Sequence, residues 1–269
     1  MKKELLLLAV LALLLNGCKS APAGAGSGRV LQVAVTTAQA YEFAEAIGGG
    51  HSALTLVVVE DETVQAYDLL LCASDETEAW GTQTLADADG NLPVAHFSIA
   101  LSNLSKGQVL TSPYAALMMV QEICTAYCKV DPTHAAAYQV NADIYAAALW
   151  NLHTELAAIA AAQVRPLIFT GDFLHEPLVH TYGFSYFAAG DAPTPAMLSL
   201  LIDEIRTQEL AFVLSCTQGD SAAAALSAAT GAEIVLLPSG FAAVDPACTA
   251  QTYIAYMEEV VACIKKASG

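Results

Sequence analysis

Basic residues are scarce in this sequence. Ten Lys and Arg residues stand against 27 Asp and Glu residues, which gives a formal net charge of -17 at pH 7. So acidic a surface repels phosphate backbones, and we therefore expect no nucleic-acid partner. The same charge raises the local concentration of cations, although an acidic surface also serves simply to keep an exported protein soluble. Charge alone leaves both interpretations open.

Long apolar runs are absent after the first 17 residues. A helix that spans a membrane needs about 18 to 20 consecutive apolar residues, and no later stretch approaches that length. Hydrophobic residues nevertheless make up 55% of the chain, and many of them are Ala. We therefore expect the body of the chain to be soluble.

Motifs of catalysis and nucleotide binding are also missing. The sequence contains no G-x-S-x-G, P-loop, H-E-x-x-H or G-x-G-x-x-G pattern. These patterns place a nucleophile, a phosphate or a metal ion in common enzyme classes. No Cys or Ser has a His at a recognisable catalytic spacing, and we therefore predict that the protein is not an enzyme.

A short leader resembles the signal of bacterial lipoproteins. Two Lys residues precede an apolar run from Leu5 to Leu15, which is too short to span a bilayer. The run ends in LNGC, which is similar to a lipobox, the motif whose Cys is lipidated and becomes the new N-terminus. We expect a signal peptide over residues 1–17, a lipid on Cys18 and a flexible Gly-, Ala-, Ser- and Pro-rich tether over residues 18–28. An ordinary secretory leader is the alternative.

Six further cysteines have spacings that do not form a disulfide framework. They are Cys72, Cys124, Cys128, Cys216, Cys248 and Cys263. An even number in an exported chain permits disulfides. Cys124 and Cys128, however, would lie one helical turn apart, where a bridge is geometrically poor, and a metal ion would need further ligands that the nearby sequence does not supply. We interpret these cysteines as small buried hydrophobic residues.

Predicted strands and helices alternate along the chain. Runs of apolar and β-branched residues predict strands at 29–36, 54–59, 68–72, 94–99, 166–170, 185–188, 211–216 and 234–237. Amphipathic periodicity and capping signals predict helices at 37–47, 112–129, 133–163, 176–182, 195–207, 220–230 and 248–266. Such alternation favours parallel sheets that are covered by helices on both faces.

One predicted helix is much longer than the others. Residues 133–163 contain no Gly or Pro, whereas helices of globular proteins average about 11 or 12 residues. Its place between two strand-forming regions suggests a rigid spine. The predicted fold is α/β with two lobes, each a parallel sheet flanked by helices, joined by one long rigid linking helix. We place the N-terminal lobe at 29–130, the linking helix at 131–163 and the C-terminal lobe at 164–269.

The linking segment resembles a known family of proteins. From Val130 to Leu156 it reads VDPTHAAAYQVNADIYAAALWNLHTEL, which fits the pattern D-P-x-x-A-x-x-Y-x-x-N-A-x-x-Y-x-x-x-L-x-x-L. Tyr182-Gly183-Phe184 is similar to the Y-G-L that closes the first helix of that family's second lobe. The order and spacing of these motifs are typical of the metal-binding solute-binding proteins of zinc and manganese ABC importers.

The resemblance implies a function. A protein of this family stands outside the cytoplasm in the cell envelope, where a lipid anchors it to the membrane. It binds a divalent metal ion, zinc or manganese, between its lobes through His and carboxylate side chains at strand ends. It then delivers the ion to an ABC permease in the membrane. We expect this chain to act as a monomer.

The ligands that the family usually carries are largely missing here. The loop after the second strand reads Glu60-Asp61-Glu62 and contains no His. The segment before Ser112-Pro113 also lacks its His, and Asp172 takes the place of a third. Pro238-Ser239 stands where the last acidic ligand is expected.

Neighbouring side chains offer a replacement set. Asp172 and His175 lie on the expected loop at the start of a helix, and Glu60 and Glu62 can face them from the first lobe. Nitrogen and oxygen ligands suit a divalent cation, but the positive end of the helix opposes one, so the carboxylates must dominate. We predict Asp172, His175, Glu60 and Glu62 as metal ligands.

The alternative assigns these residues no ligand role. The acidic run would then be a solvated loop, and His175 a surface or capping residue. In that case the same fold would bind a non-metal small ligand or a partner protein.

Overall fold

The computed structural model describes most of the chain after the leader. The described ranges are 29–35, 38–56, 67–72, 94–96, 111–171, 174–190, 192–238 and 252–269. The predicted lipidation site Cys18 and the predicted ligands Glu60, Glu62 and Asp172 lie outside them, as do Asp61, Ser239 and Cys248.

The first sheet has four parallel strands in the order β2-β1-β3-β4. The strands are β1 (Leu31–Val35), β2 (Ser52–Leu56), β3 (Leu69–Cys72) and β4 (Val94–His96). Val33 of β1 pairs with Leu54 on one side and Leu69 on the other. Side chains of β1 are buried on both faces, as the near-continuous apolar sequence of a parallel strand predicts.

The second sheet repeats this arrangement with four parallel strands in the order β6-β5-β7-β8. The strands are β5 (Leu167–Thr170), β6 (Tyr186–Ala188), β7 (Phe212–Ser215) and β8 (Glu233–Leu236). In both sheets the first strand of the set lies between the second and the third. The two halves of the chain therefore share one topology without sharing a sequence repeat.

Seven α-helices connect and cover these strands in the described ranges. They are α1 (Ala38–Gly48), α2 (Pro113–Val130), α3 (Ala135–Ala162), α4 (Glu176–Tyr182), α5 (Pro195–Thr207), α6 (Ser221–Thr230) and α7 (Tyr253–Ser268). The starts follow local chemistry: Ser112 accepts a hydrogen bond from the backbone N–H of Ala115, and Pro113 occupies the first helical position.

Helix α3 is the predicted spine. Its 28 residues span about 42 Å at 1.5 Å per residue. One face, which includes Tyr138, Leu149 and Leu156, is fully buried. That face belongs to a single hydrophobic core that also contains side chains from both sheets. The long helix and α7 therefore pack into a core that the two sheets share.

Several motif residues of the linking segment hold α3 to the end of α2 and to α1. The Tyr138 hydroxyl donates a hydrogen bond of 2.8 Å to Asp131 Oδ2. Asn141 Nδ2 donates one of 2.9 Å to the carbonyl oxygen of Ile47 at the end of α1. The Asp, Tyr and Asn of the family-like pattern thus have structural partners here.

A second, smaller core lies on the other face of the second sheet. It joins strand residues such as Ile168 and Val213 to Leu201 and Ile205 of α5 and to Leu226 of α6. The second sheet is therefore covered on both of its faces. Among the described helices, none combines the length and the apolar character that a bilayer crossing requires.

The fold prediction is confirmed: two parallel sheets are flanked by helices, and one long helix lies between them in sequence. The bounds of α4 and α5 agree with the prediction at both ends. Strand β2 begins two residues earlier than expected. The division into lobes at 130 and 163 stays a prediction, because α7, from the end of the chain, packs against α3 and α1.

Candidate functional site at the carboxyl edge of the second sheet

Polar residues gather where β5 and β7 end. These strands are neighbours, and the chain leaves the first of them toward β6 on one side and the second toward β8 on the other. In open parallel sheets, ligands bind outside the carboxyl ends of the strands at such a switch point. Thr170 and Gly171 lie at the end of β5, and Ser215 and Cys216 at the end of β7. This edge is the candidate site.

Gly171 lets the loop after β5 pass close to the loop after β7. Its φ angle of +72° lies in the left-handed region that favours glycine. A Cβ atom at this position would lie only 2.7 Å from Thr217 Oγ1 and 3.2 Å from Asp220 Oδ2. The close approach of the two loops therefore requires a residue without a side chain.

Asp220 places a carboxylate at this edge. It caps α6, where Oδ1 accepts a hydrogen bond of 2.8 Å from the Ala222 backbone N–H. Its Oδ2 accepts one of 2.9 Å from the Ser215 hydroxyl. Burial by itself would raise the pKa of Asp220, but the hydrogen bonds from Thr170, Ser215 and the first turn of α6 outweigh it and lower that pKa. The group is therefore ionised at neutral pH.

His175 lies beneath the edge, at the start of α4, and is fully buried. Its Nδ1 is 3.3 Å from the Sγ of Cys216, and its Nε2 is 3.3 Å from the hydroxyl oxygen of Tyr256 on α7. The imidazole therefore joins α4, the end of β7 and the C-terminal helix.

Burial decides the charge of this imidazole. Desolvation lowers the pKa of His175 to about 4, so the ring is neutral at neutral pH. A neutral imidazole has one N–H donor and one lone pair. If Nε2 carries the proton and donates to the Tyr256 hydroxyl oxygen, the Nδ1 lone pair accepts a hydrogen bond from the Cys216 thiol. The other tautomer reverses both roles. The neutral form is also the one that binds metal ions.

Of the four predicted metal ligands, the structure describes His175 alone. Its interpretation as a surface or capping residue is wrong, because the side chain is inaccessible to solvent and makes no capping hydrogen bond. The ligand role of His175, like those of Asp172, Glu60 and Glu62, stays a prediction. Within the described ranges, no group of three or more His, Cys, Asp or Glu side chains is placed to hold a metal ion.

We did not predict from the sequence that Cys216 and Tyr256 lie at this site. They are 41 and 81 residues from His175, and no local pattern links them. One feature of the sequence pointed to Cys216, since it is the last residue of the strand predicted at 211–216. No feature of the sequence pointed to Tyr256, because an aromatic residue on an amphipathic helix is expected to lie in the hydrophobic core.

The four cysteines whose side chains the structure describes agree with their interpretation in part. Cys124, Cys128, Cys216 and Cys263 are all unbridged. Cys124 and Cys216 are buried, as expected, whereas Cys128 and Cys263 are partly exposed.

Comparison with known proteins gives one family. A family model described as zinc-uptake complex component A, periplasmic, matches residues 33–267. No curated protein sequence matches the chain.

Solved structures with the same fold include three metal-binding proteins. The metal-dependent lipoprotein YcdH from Bacillus subtilis has a TM-score of 0.70 at 19% identity, covering 89% of this chain and 100% of that one. The Zn(II)-bound ZnuA-like domain of AdcA from Streptococcus pneumoniae has a TM-score of 0.67 at 19% identity, covering 89% and 99%. An Mn-bound mutant of a periplasmic metal binding protein from Candidatus Liberibacter asiaticus has a TM-score of 0.62 at 16% identity, covering 89% and 100%. At these identities the likeness shows the fold.

Proposed function

Because this chain belongs to the family of the periplasmic zinc-uptake component A, we propose that it captures a divalent metal ion outside the cytoplasm and delivers it to an ABC permease. The family and its fold are those of metal-binding solute-binding proteins rather than of an enzyme. Zinc or manganese is the proposed cargo. The lipid on Cys18 is the proposed anchor, and it would keep the protein at the membrane beside its permease.

The observation that supports this proposal is the family match over residues 33–267. The polar edge of the second sheet lies inside that range, and it carries a carboxylate, a neutral imidazole and a thiol. These are donor types that bind zinc in proteins, and the carboxylate also suits manganese. The charge of -17 favours cations around the molecule as a whole.

The proposed ligands are Asp172, His175, Glu60 and Glu62. His175 is held by Cys216 and Tyr256 when no ion is bound. To reach an ion at the surface of the edge, its ring must give up at least one of these contacts. Ion capture would therefore rearrange the first turn of α4, and part of the binding free energy would be used for that change.

Thermal unfolding of residues 19–269 tests the cargo. The protein is treated with a chelator, and zinc, manganese, iron or nickel is added back one at a time. An ion that binds only the folded state stabilises it by about 2.7 kcal/mol at a hundredfold excess over Kd. We expect an upward shift of the melting temperature with zinc or manganese, and its loss in Asp172→Asn.

A matched control comes from α4 itself. His180→Ala removes a solvent-exposed His from the same helix and should leave the metal-induced shift intact. The proposed metal cargo is contradicted if no ion stabilises this chain more than it stabilises an unrelated acidic protein.

A second function is favoured by the burial of His175. Its ring nitrogens face Cys216 and Tyr256, and no group of three or more His, Cys, Asp or Glu side chains in the described residues is placed to hold a metal ion. A member of the same fold that binds a non-metal small ligand or a partner protein would show this arrangement. This second function would be supported if the melting temperature does not change with any of the four ions but rises with an organic ligand.

A further inference from the structure

Two cysteines lie side by side on α2 where it packs against α3. The Sγ atoms of Cys124 and Cys128 are 4.0 Å apart, and both thiols are free. Cys124 is buried in the helix interface, whereas Cys128 is partly exposed. The pair shares no residue with the edge of the second sheet.

A polar side chain from α3 completes the cluster. Gln139 Oε1 lies 3.7 Å from the Sγ of Cys124. The amide nitrogen of Gln139 donates a hydrogen bond of 2.9 Å to Asp143 Oδ1. This bond directs the amide nitrogen toward the carboxylate and the amide oxygen toward the sulfur. Gln139 itself is exposed, so the cluster opens to solvent on one side.

The distances match the edges of a metal tetrahedron. Two sulfur atoms that are each about 2.3 Å from a tetrahedral zinc ion lie about 3.8 Å apart, and a sulfur and an oxygen ligand lie about 3.6 Å apart. The observed separations are 4.0 Å and 3.7 Å. The two separations that involve Cys124 therefore fit a tetrahedral site, and the open side leaves room for water as a further ligand.

We propose that Cys124, Cys128 and Gln139 form a second, thiophilic metal site that takes a soft divalent cation of the zinc and cadmium class. Two sulfur ligands select such ions over manganese and magnesium, which prefer oxygen. The hydrogen bond from Gln139 to Asp143 orients the amide oxygen as an outer-shell contact orients a metal ligand.

The ion must displace the thiol protons, which are released to solvent. Burial, together with the neighbouring Cys128, raises the pKa of Cys124 to about 12, so the Cys124 thiol is protonated at neutral pH when no ion is bound. In that state the Cys128 thiol points to the Ala135 carbonyl oxygen at 3.7 Å. The bound ion replaces these weak thiol contacts.

Cadmium(II) titration of residues 19–269, reduced and freed of metal, tests the site. Cadmium bound to thiolate gives a charge-transfer absorption band in the ultraviolet. We expect this band to saturate with tight binding in the wild-type chain. Cys124→Ser and Cys128→Ser should each weaken binding by more than about tenfold, and Gln139→Ala by a smaller factor.

The other cysteines serve as matched controls. Serine variants of Cys72, Cys248 and Cys263, which lie outside both proposed sites, should leave the band unchanged. The proposal is overturned if the band persists in the Cys124→Ser/Cys128→Ser double variant, if no band forms in the wild type, or if Cys216→Ser alone removes it. The metal-free melting temperature of each variant is compared with wild type. If Cys124→Ser unfolds, the partly exposed Cys128→Ser decides.

Discussion

At His175, burial directly opposes protonation of the imidazole ring. An imidazole that is inaccessible to solvent and has a pKa of about 4 cannot easily take up a proton, whereas the same side chain in the unfolded chain titrates near pH 6.5. Between these values the unfolded state binds more protons than the folded state, so stability falls as the pH falls. The contribution of neutral, buried His175 to the unfolding free energy is fully present above pH 6.5 and is lost progressively as the pH falls toward 4.

His175→Phe should therefore reduce the acid sensitivity of the fold. Phe keeps an aromatic ring in the core but cannot be protonated. From pH 7 to pH 4.5 we expect the wild type to lose about 2 to 3 kcal/mol more unfolding free energy than the variant. Urea unfolding at both pH values measures the difference. Equal losses in the two proteins would mean that His175 is not held neutral by burial.

The sequence predicted the position of His175 but not its surroundings. Its place after a buried strand and before a short helix followed from local pattern, since loops after parallel strands meet at one edge. The contacts with Cys216 and Tyr256 depend on how β7 and α7 pack, and neither packing leaves a local trace. Residues 60, 62 and 172 were chosen because they lie on the loops where the resembled family carries its ligands, and they stay predictions.

Helix α6 depends on one capping side chain. Asp220 accepts hydrogen bonds from the Ala222 backbone N–H and from Ser215. Asp220→Ala should cost about 1 to 2 kcal/mol of unfolding free energy, because a backbone donor and a hydroxyl lose their acceptor. Asp220→Asn should cost less. Urea unfolding measures both, and exposed Asp203→Ala on α5 should change stability by no more than about 0.5 kcal/mol.

Glu42 joins three helices that are distant in sequence. Its two carboxylate oxygens each accept the Tyr253 backbone N–H of α7 at 3.0 Å, and Oε1 also accepts the Tyr145 hydroxyl of α3 at 2.9 Å. Glu42→Ala would leave these donors without their acceptor.

We expect Glu42→Ala to lower the unfolding free energy by about 2 to 3 kcal/mol, since one of its bonds is a charge-assisted cap at the start of α7. Glu42→Gln, which keeps an acceptor oxygen, should lose less. Denaturant unfolding is again the measurement, with exposed Glu45→Ala on the same helix as the control. A loss from Glu42→Ala no larger than that from Glu45→Ala would show that the contact is not stabilising.

Element ends were predictable where the signal is local. The bounds Glu176–Tyr182 were predicted correctly, and the C-terminal end was predictable because Gly183, with a φ of 72°, stops the helix. The start of α7 was not: the prediction began at Cys248, whereas the side chain of Thr252 caps a helix that starts at Tyr253. Strand β2 begins at Ser52 rather than Leu54 because Ser52 pairs with Leu31 of β1, and pairing is a non-local property.

At the scale of the whole molecule, the shared core argues that the two halves are not independent. Side chains of β1 and of β5 belong to one cluster, which α3 and α7 complete. Two lobes joined by a linker alone would instead have separate cores and separate unfolding transitions. The repeated strand order gives each half its own sheet, but the packing of α3 gives both halves common stability.

Leu149→Ala tests this coupling. Leu149 is fully buried in α3, and its truncation should cost about 2 to 5 kcal/mol through the cavity that it leaves. If the core is shared, hydrogen-exchange protection of amides in β1 and β5 should fall by the same free energy. Ile144→Ala, on the same helix but 68% exposed, should leave both unchanged.

A loss of protection confined to one sheet would mean that the lobes unfold separately. The lobes would then be free to move against each other when an ion enters. Equal losses would mean that any closure on an ion must come from loops at the sheet edges, because a lobe movement would have to break the common core.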